Sequence, residues 1–167
     1  AGYIYEATEG ELIPNKTYMI SAVDNINKNA FIKLISARDT ESTTEYYKKT
    51  DIDIISKVEK IKARKIVKSR LISETAEHAQ ICLFIFERKE EDMLASIAYI
   101  DGDKAIFKDY PAKYDEMSTW RVDAGDEPGL FEVLFLANSD EGLLLGLTWA
   151  APEGENIFVL KESDGVF

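Results

Sequence analysis

The run AQICLFIFERKEEDMLASIAYIDGDKAIFKDY, residues Ala79 to Tyr110, reads as three strands joined by two tight turns. Ala79 to Arg88 is strand-length with an apolar centre, Ile81 to Phe86. Lys89-Glu90-Glu91-Asp92 is a charged turn, and Met93 to Ile100 returns as the next strand. Asp101-Gly102-Asp103 then marks a hairpin, because an Asp-Gly pair suits the positive φ angles of tight hairpin turns. Lys104 to Tyr110 completes the unit.

Downstream, the same two-residue rhythm continues. Pro111 to Glu116 reads as a crossing loop, Thr119 to Asp123 as a short strand, and Ala124 to Gly129 as a turn. Leu130 to Ala137, Leu143 to Ala150 and Ile157 to Glu162 follow as a meander. Leu143-Leu144-Leu145 does not alternate, which implies a strand buried on both faces or bulged. Upstream, Tyr3 to Tyr5 is a short strand. Thr17 to Val23 and Ala30 to Ser36 form a hairpin around the Asn-rich turn Asp24 to Asn29.

Between these regions the period is ambiguous. Ile54, Ile55, Val58, Ile61 and Ile72 fall on one helical stripe, but Val67 and Leu71 fall off it. β-branched residues dominate and favour extended backbone. The expectation is therefore a long strand from Lys60 to Ser73, with room for one short helix around residues 43–58 capped by Thr43 or Thr44. About ten short strands joined by short turns predict an all-β, mainly antiparallel fold. It is either a meander β-barrel or a two-sheet sandwich, formed by a single domain over residues 1–167.

Composition narrows the function. The formal net charge of −11 argues against generic nucleic-acid binding and favours neutral or basic partners. No apolar run approaches the roughly 18 residues of a membrane helix. One stretch runs against the acidic background. Lys57, Lys60, Lys62, Arg64, Lys65, Lys68 and Arg70 face only Glu59, a local +6 that leaves −17 on the rest of the chain. Such a stripe suits an acidic partner, an anionic glycan or lipid head groups, with Arg64 and Lys65 at its centre. The competing reading is cross-strand pairing with neighbouring acids.

Catalytic and metal motifs are sparse. The single cysteine, Cys82, sits inside an apolar strand, so no internal disulfide forms and the thiol reads as a small buried hydrophobe. The single histidine, His78, lies in a polar turn, away from Cys82 along an extended strand. One His and one Cys cannot close a four-ligand zinc site. No Gly-rich phosphate loop occurs. Acids gather in turns (Asp101 and Asp103; Asp123, Asp126 and Glu127; Asp140 and Glu141; Glu153 and Glu155), where solvated surface is the commoner reading than calcium. No cofactor, metal site or catalytic residue is therefore assigned. Tyr110, Tyr114, Trp120 and Trp149 are the aromatics placed near loops, where they stack on sugar rings or anchor a partner, or else pack the core.

The expectation is a non-enzymatic, extracytoplasmic binding or interaction module for a small ligand or a protein. A hydrolase using carboxylates that converge from separate strands is the first alternative, and a structural surface domain the second. The small-residue start Ala1-Gly2-Tyr3 motivates the extracytoplasmic reading, with a lipid anchor upstream of residue 1. Removal of a tag or excision of a domain accounts for the same start.

Overall fold

A computed structural model describes residues 13, 30–37, 50–114, 116, 131–151 and 154–167. The expected strands Tyr3–Tyr5, Thr17–Val23 and Thr119–Asp123, the turn Asp24–Asn29, and Trp120 lie outside these residues. So do Thr43, Thr44, Asp123, Asp126, Glu127 and Glu153.

The described elements, in chain order, are β1 (Phe31–Ile32), β2 (Leu34–Ser36), α1 (Ile52–Lys62), β3 (Ile66–Thr75), β4 (Gln80–Phe86), β5 (Asp92–Asp101), β6 (Lys104–Lys113), β7 (Phe131–Ser139), β8 (Gly142–Ala151) and β9 (Gly154–Lys161). They form two antiparallel sheets, a small one ordered β1-β7-β8-β9 and a large one ordered β2-β3-β4-β5-β6. The fold is mainly β, as the alternation implies, and it resolves into two sheets rather than a closed barrel.

The two sheets face each other across one core. Ile72, Ile81, Leu83, Ile97 and Ile106 of the large sheet meet Leu136, Leu143, Leu145 and Leu147 of the small one. The reverse face of the large sheet carries a second core of Leu71, Cys82, Phe84, Phe86, Ala98 and Ile100, covered by Val58 of α1. β4 is buried on both sides, which is why Ile81–Phe86 is apolar throughout instead of alternating. In β8 the triplet divides: Leu143 and Leu145 point into the core, while Leu144 is half-buried. The irregularity lies instead in β7, where Leu134 is an extra residue between Val133 and Phe135.

One strand serves both sheets. β1 pairs with β7, the chain turns at Lys33, and β2 pairs with β3. Sheet-switching of this kind makes the corners of sandwiches. On the opposite side, Phe167 donates its N–H to the Phe107 carbonyl at 3.1 Å, tying the C-terminal turn to β6.

Two local expectations are corrected. Lys60–Lys62 are helical, and the strand expected from Lys60 begins at Ile66. Capping and packing override the β preference of Ile and Val there. Asp51 accepts from the Asp53 N–H at 2.9 Å, Ala63 stops the helix in the left-handed conformation (φ 48°), and Val58 is fully buried on the sheet. The expected crossing loop at Pro111 is instead strand, since β6 runs on to Lys113 with Pro111 opposite Leu94. The Phe107 carbonyl faces the outer edge of β6, so residues two apart share that direction and the Pro111 nitrogen needs no partner from β5.

Candidate binding cleft and aromatic row

Three residues of the basic stretch, Lys57, Lys62 and Arg64, join α1 and the turn after it to the large sheet. Lys57 Nζ donates to the Gly102 carbonyl at 2.6 Å. Lys62 pairs with Asp109 at 2.8 Å and lies 4.1 Å from the centre of the Phe107 ring. Arg64 reaches across the turn after β4, donating Nε to the Glu87 carbonyl at 2.7 Å and a terminal nitrogen to the Asp92 carbonyl. Lys65 pairs with Glu59 at 2.7 Å. That hydrogen bond makes Glu59 a stronger acid and holds the Lys65 ammonium above its ordinary pKa. Arg64 and Lys65 do line one open surface groove, with Ser56, Glu59, Lys60, Ala63 and Glu87.

A second hollow opens between the sheets, at the corner made by the switching strand. Among the described residues β1 covers Leu136 and Ala137 of β7, and β2 covers Ser73 to Thr75 of β3. Beyond these pairings lies a cleft of about 330 Å³, walled by Leu34, Ile72, Val133 and Leu134 and edged by Ser36, Ser73 and Glu132. Leu134 is the extra residue of the β7 irregularity.

An aromatic row lies farther along β7, and none of its three rings lines the cleft. Phe131 is opposite Trp149 and Val133 is opposite Leu147, so Phe131 and the cleft residue Val133 lie on one face of β7. The Phe131 and Trp149 rings stack at 6.1 Å with an interplanar angle of 19°. Tyr110 of β6 completes the row, 6.0 Å from Phe131. Among the described residues the buried Tyr110 hydroxyl oxygen has no hydrogen-bond partner, and burial pushes its pKa up to about 12.

Two of the aromatics read from sequence, Tyr110 and Trp149, are thus brought together. Tyr114 lies elsewhere, under the Arg88 guanidinium at 3.9 Å. Phe131 and the cleft walls carry no local sequence signal as a site. They converge from β2, β3 and β7, and only the non-alternating Val133-Leu134-Phe135 hints at the irregularity. Cys82 is fully buried and its thiol pKa is pushed up to about 12 by desolvation, with the Thr50 hydroxyl acting the other way. The His78 side chain is 88% exposed beside Glu74, so the two do not form a nucleophile–base pair. Among the described residues no group of three or more His, Cys, Asp or Glu is placed to hold a metal ion.

Comparison of the chain with protein-family models, with curated proteins and with solved structures finds no significant match.

Proposed function

We propose that this protein is a non-catalytic binding module that holds a small ligand in the cleft between β2–β3 and β7. The cleft carries this reading: Leu34, Ile72, Val133 and Leu134 wall a hollow between the two sheets, with Ser36, Ser73 and Glu132 at its edge. The cleft's volume falls at the lower end of the range for small-molecule sites. Glu132 at the rim and the net charge of −11 favour a neutral or cationic ligand. Among the described residues, the carboxylates whose acidity shifts, Glu59, Asp92 and Glu141, are made stronger acids by paired lysines. A general acid working near neutral pH needs the opposite shift.

The test uses phenol and tyramine, which share a ring and differ by an ammonium group. Amide shifts on ¹⁵N-labelled protein are expected to concentrate at residues 34–36, 72–73 and 131–134, with tyramine the tighter ligand. Leu134→Arg is expected to abolish them. Binding mapped to another surface, or undiminished in L134R, overturns the reading. Tyr110→Phe supplies a further check. It is expected to match the wild type or exceed its stability by about 1 kcal/mol in urea denaturation and to leave tyramine binding in the cleft unchanged. A clear loss of stability would mean that the hydroxyl already has an internal partner.

A further inference from the structure

We propose that β9 is a homodimer interface, on which a second copy of this chain adds its own β9 antiparallel to form one continuous sheet. Among the described residues β9 pairs only with β8, so it is an edge of the small sheet. The direction of its backbone groups follows from one hydrogen bond: Glu162 N–H donates to the Leu143 carbonyl at 2.8 Å. Residues two apart in a strand point their backbone groups the same way. Leu160, Phe158 and Asn156 therefore face β8, while Lys161, Val159, Ile157 and Glu155 turn their N–H and C=O outward. On the outer sheet face these four residues are exposed, with Ile157 at 69% and Val159 at 54%, whereas Phe158 and Leu160 pack against the core.

The order Glu155-Asn156-Ile157-Phe158-Val159-Leu160-Lys161 is self-complementary about Phe158. A two-fold axis there sets Ile157 opposite Val159 of the second copy and Glu155 opposite its Lys161. It also makes both hydrogen-bonded pairs from residues whose backbone groups already face outward. Sliding by one strand repeat sets Glu155 opposite Val159 or Lys161 opposite Ile157, leaving charge against hydrocarbon. Charge complementarity thus selects both the occupant and the register. Within one chain Lys161 also bonds Glu141, and Glu155 accepts from the Thr148 hydroxyl. An ammonium has three donors and a carboxylate several acceptor sites, so both can also serve the second copy. This interface is on the opposite side of the small sheet from the ligand cleft, and its failure leaves that reading intact.

Sedimentation velocity of the full chain across a concentration series tests the proposal, in about 0.15 M salt, where charges beyond about 8 Å are screened. The wild type is expected to show a monomer–dimer equilibrium. Val159→Pro removes an outward N–H and no bond to β8, so it is expected to stay folded by circular dichroism and become monomeric. Glu155→Lys and Lys161→Glu each place like charges opposite one another, and each is expected to raise the dimer dissociation constant by about tenfold. The double variant E155K/K161E is expected to restore it. A wild type that stays monomeric up to millimolar concentration overturns the proposal. So does a dimer that survives V159P, or charge variants that do not rescue each other.

Discussion

Single buried groups set how this protein responds to alkali. The thiol of Cys82 and the hydroxyls of Tyr99 and Tyr110 all have pKa values raised to about 12, chiefly by burial. An acid whose folded pKa is raised keeps its proton in the native state while the unfolded chain loses it. Stability is therefore full below the unfolded value and falls as pH rises toward the folded one. The thiol starts from 9.0 and the tyrosines from 10.0, so the loss is expected to begin near pH 9. It should steepen above pH 10, with the thiol contributing up to about 1.4 kcal/mol per pH unit. Urea denaturation at pH 7 to 11 measures this. Cys82→Ala is expected to delay the onset to about pH 10 while lowering stability at pH 7 by roughly 1 kcal/mol. At this scale the sequence was informative about Cys82, whose apolar neighbours already implied burial. It was uninformative about Arg64 and Lys65, because a charge run looks alike whether it faces a partner or clamps its own hairpin.

At the scale of elements, periodicity located the strands well and failed where a neighbour changed the local rule. Ala79 to Tyr110 was legible because turn chemistry and alternation agree there. The segment before it was not, because the decisive contacts of α1 are tertiary: Val58 against Leu71, Phe84 and Phe86, and Lys62 against Asp109. Pro111 misled for a related reason, since its missing donor matters only in a central strand. The candidate site was half legible. Tyr110 and Trp149 are singled out by size and position, but the cleft needs the β7 irregularity and three strands distant in sequence. One element-level device is open to test. A Cβ on Gly146 of β8 would lie 2.3 Å from the Phe135 ring of β7, which itself meets Phe31 of β1 edge-on at 6.0 Å. The glycine lets that ring lie across its neighbour strand. Gly146→Ala is expected to cost about 1–3 kcal/mol by displacing the ring. Phe135→Leu on the same background is expected to be less than additive, since the obstructed ring is gone, and a double-mutant cycle in urea measures this. Simple additivity would show that the ring and the glycine are independent.

Across the whole molecule, the two-sheet architecture follows from alternation plus short turns. The choice between sandwich and barrel does not, because closure depends on which edges meet and not on any one strand. The switching strand at Phe31–Ser36 has a further consequence, which concerns time. β3 to β6 is a run of sequence neighbours, whereas Phe31 has to find Ala137 near the far end of the chain. Bringing together ends about a hundred residues apart costs roughly 3 kcal/mol more in chain entropy than closing a hairpin. The large sheet is thus expected to assemble first, with the β1–β7 seam formed last. Pulse-labelled hydrogen exchange during refolding should find the β4 and β5 amides protected before those of β7 that face β1. Simultaneous protection would mean that the chain collapses around both sheets at once. In the late-seam case, the corner that shapes the candidate cleft is the final piece of the protein to exist.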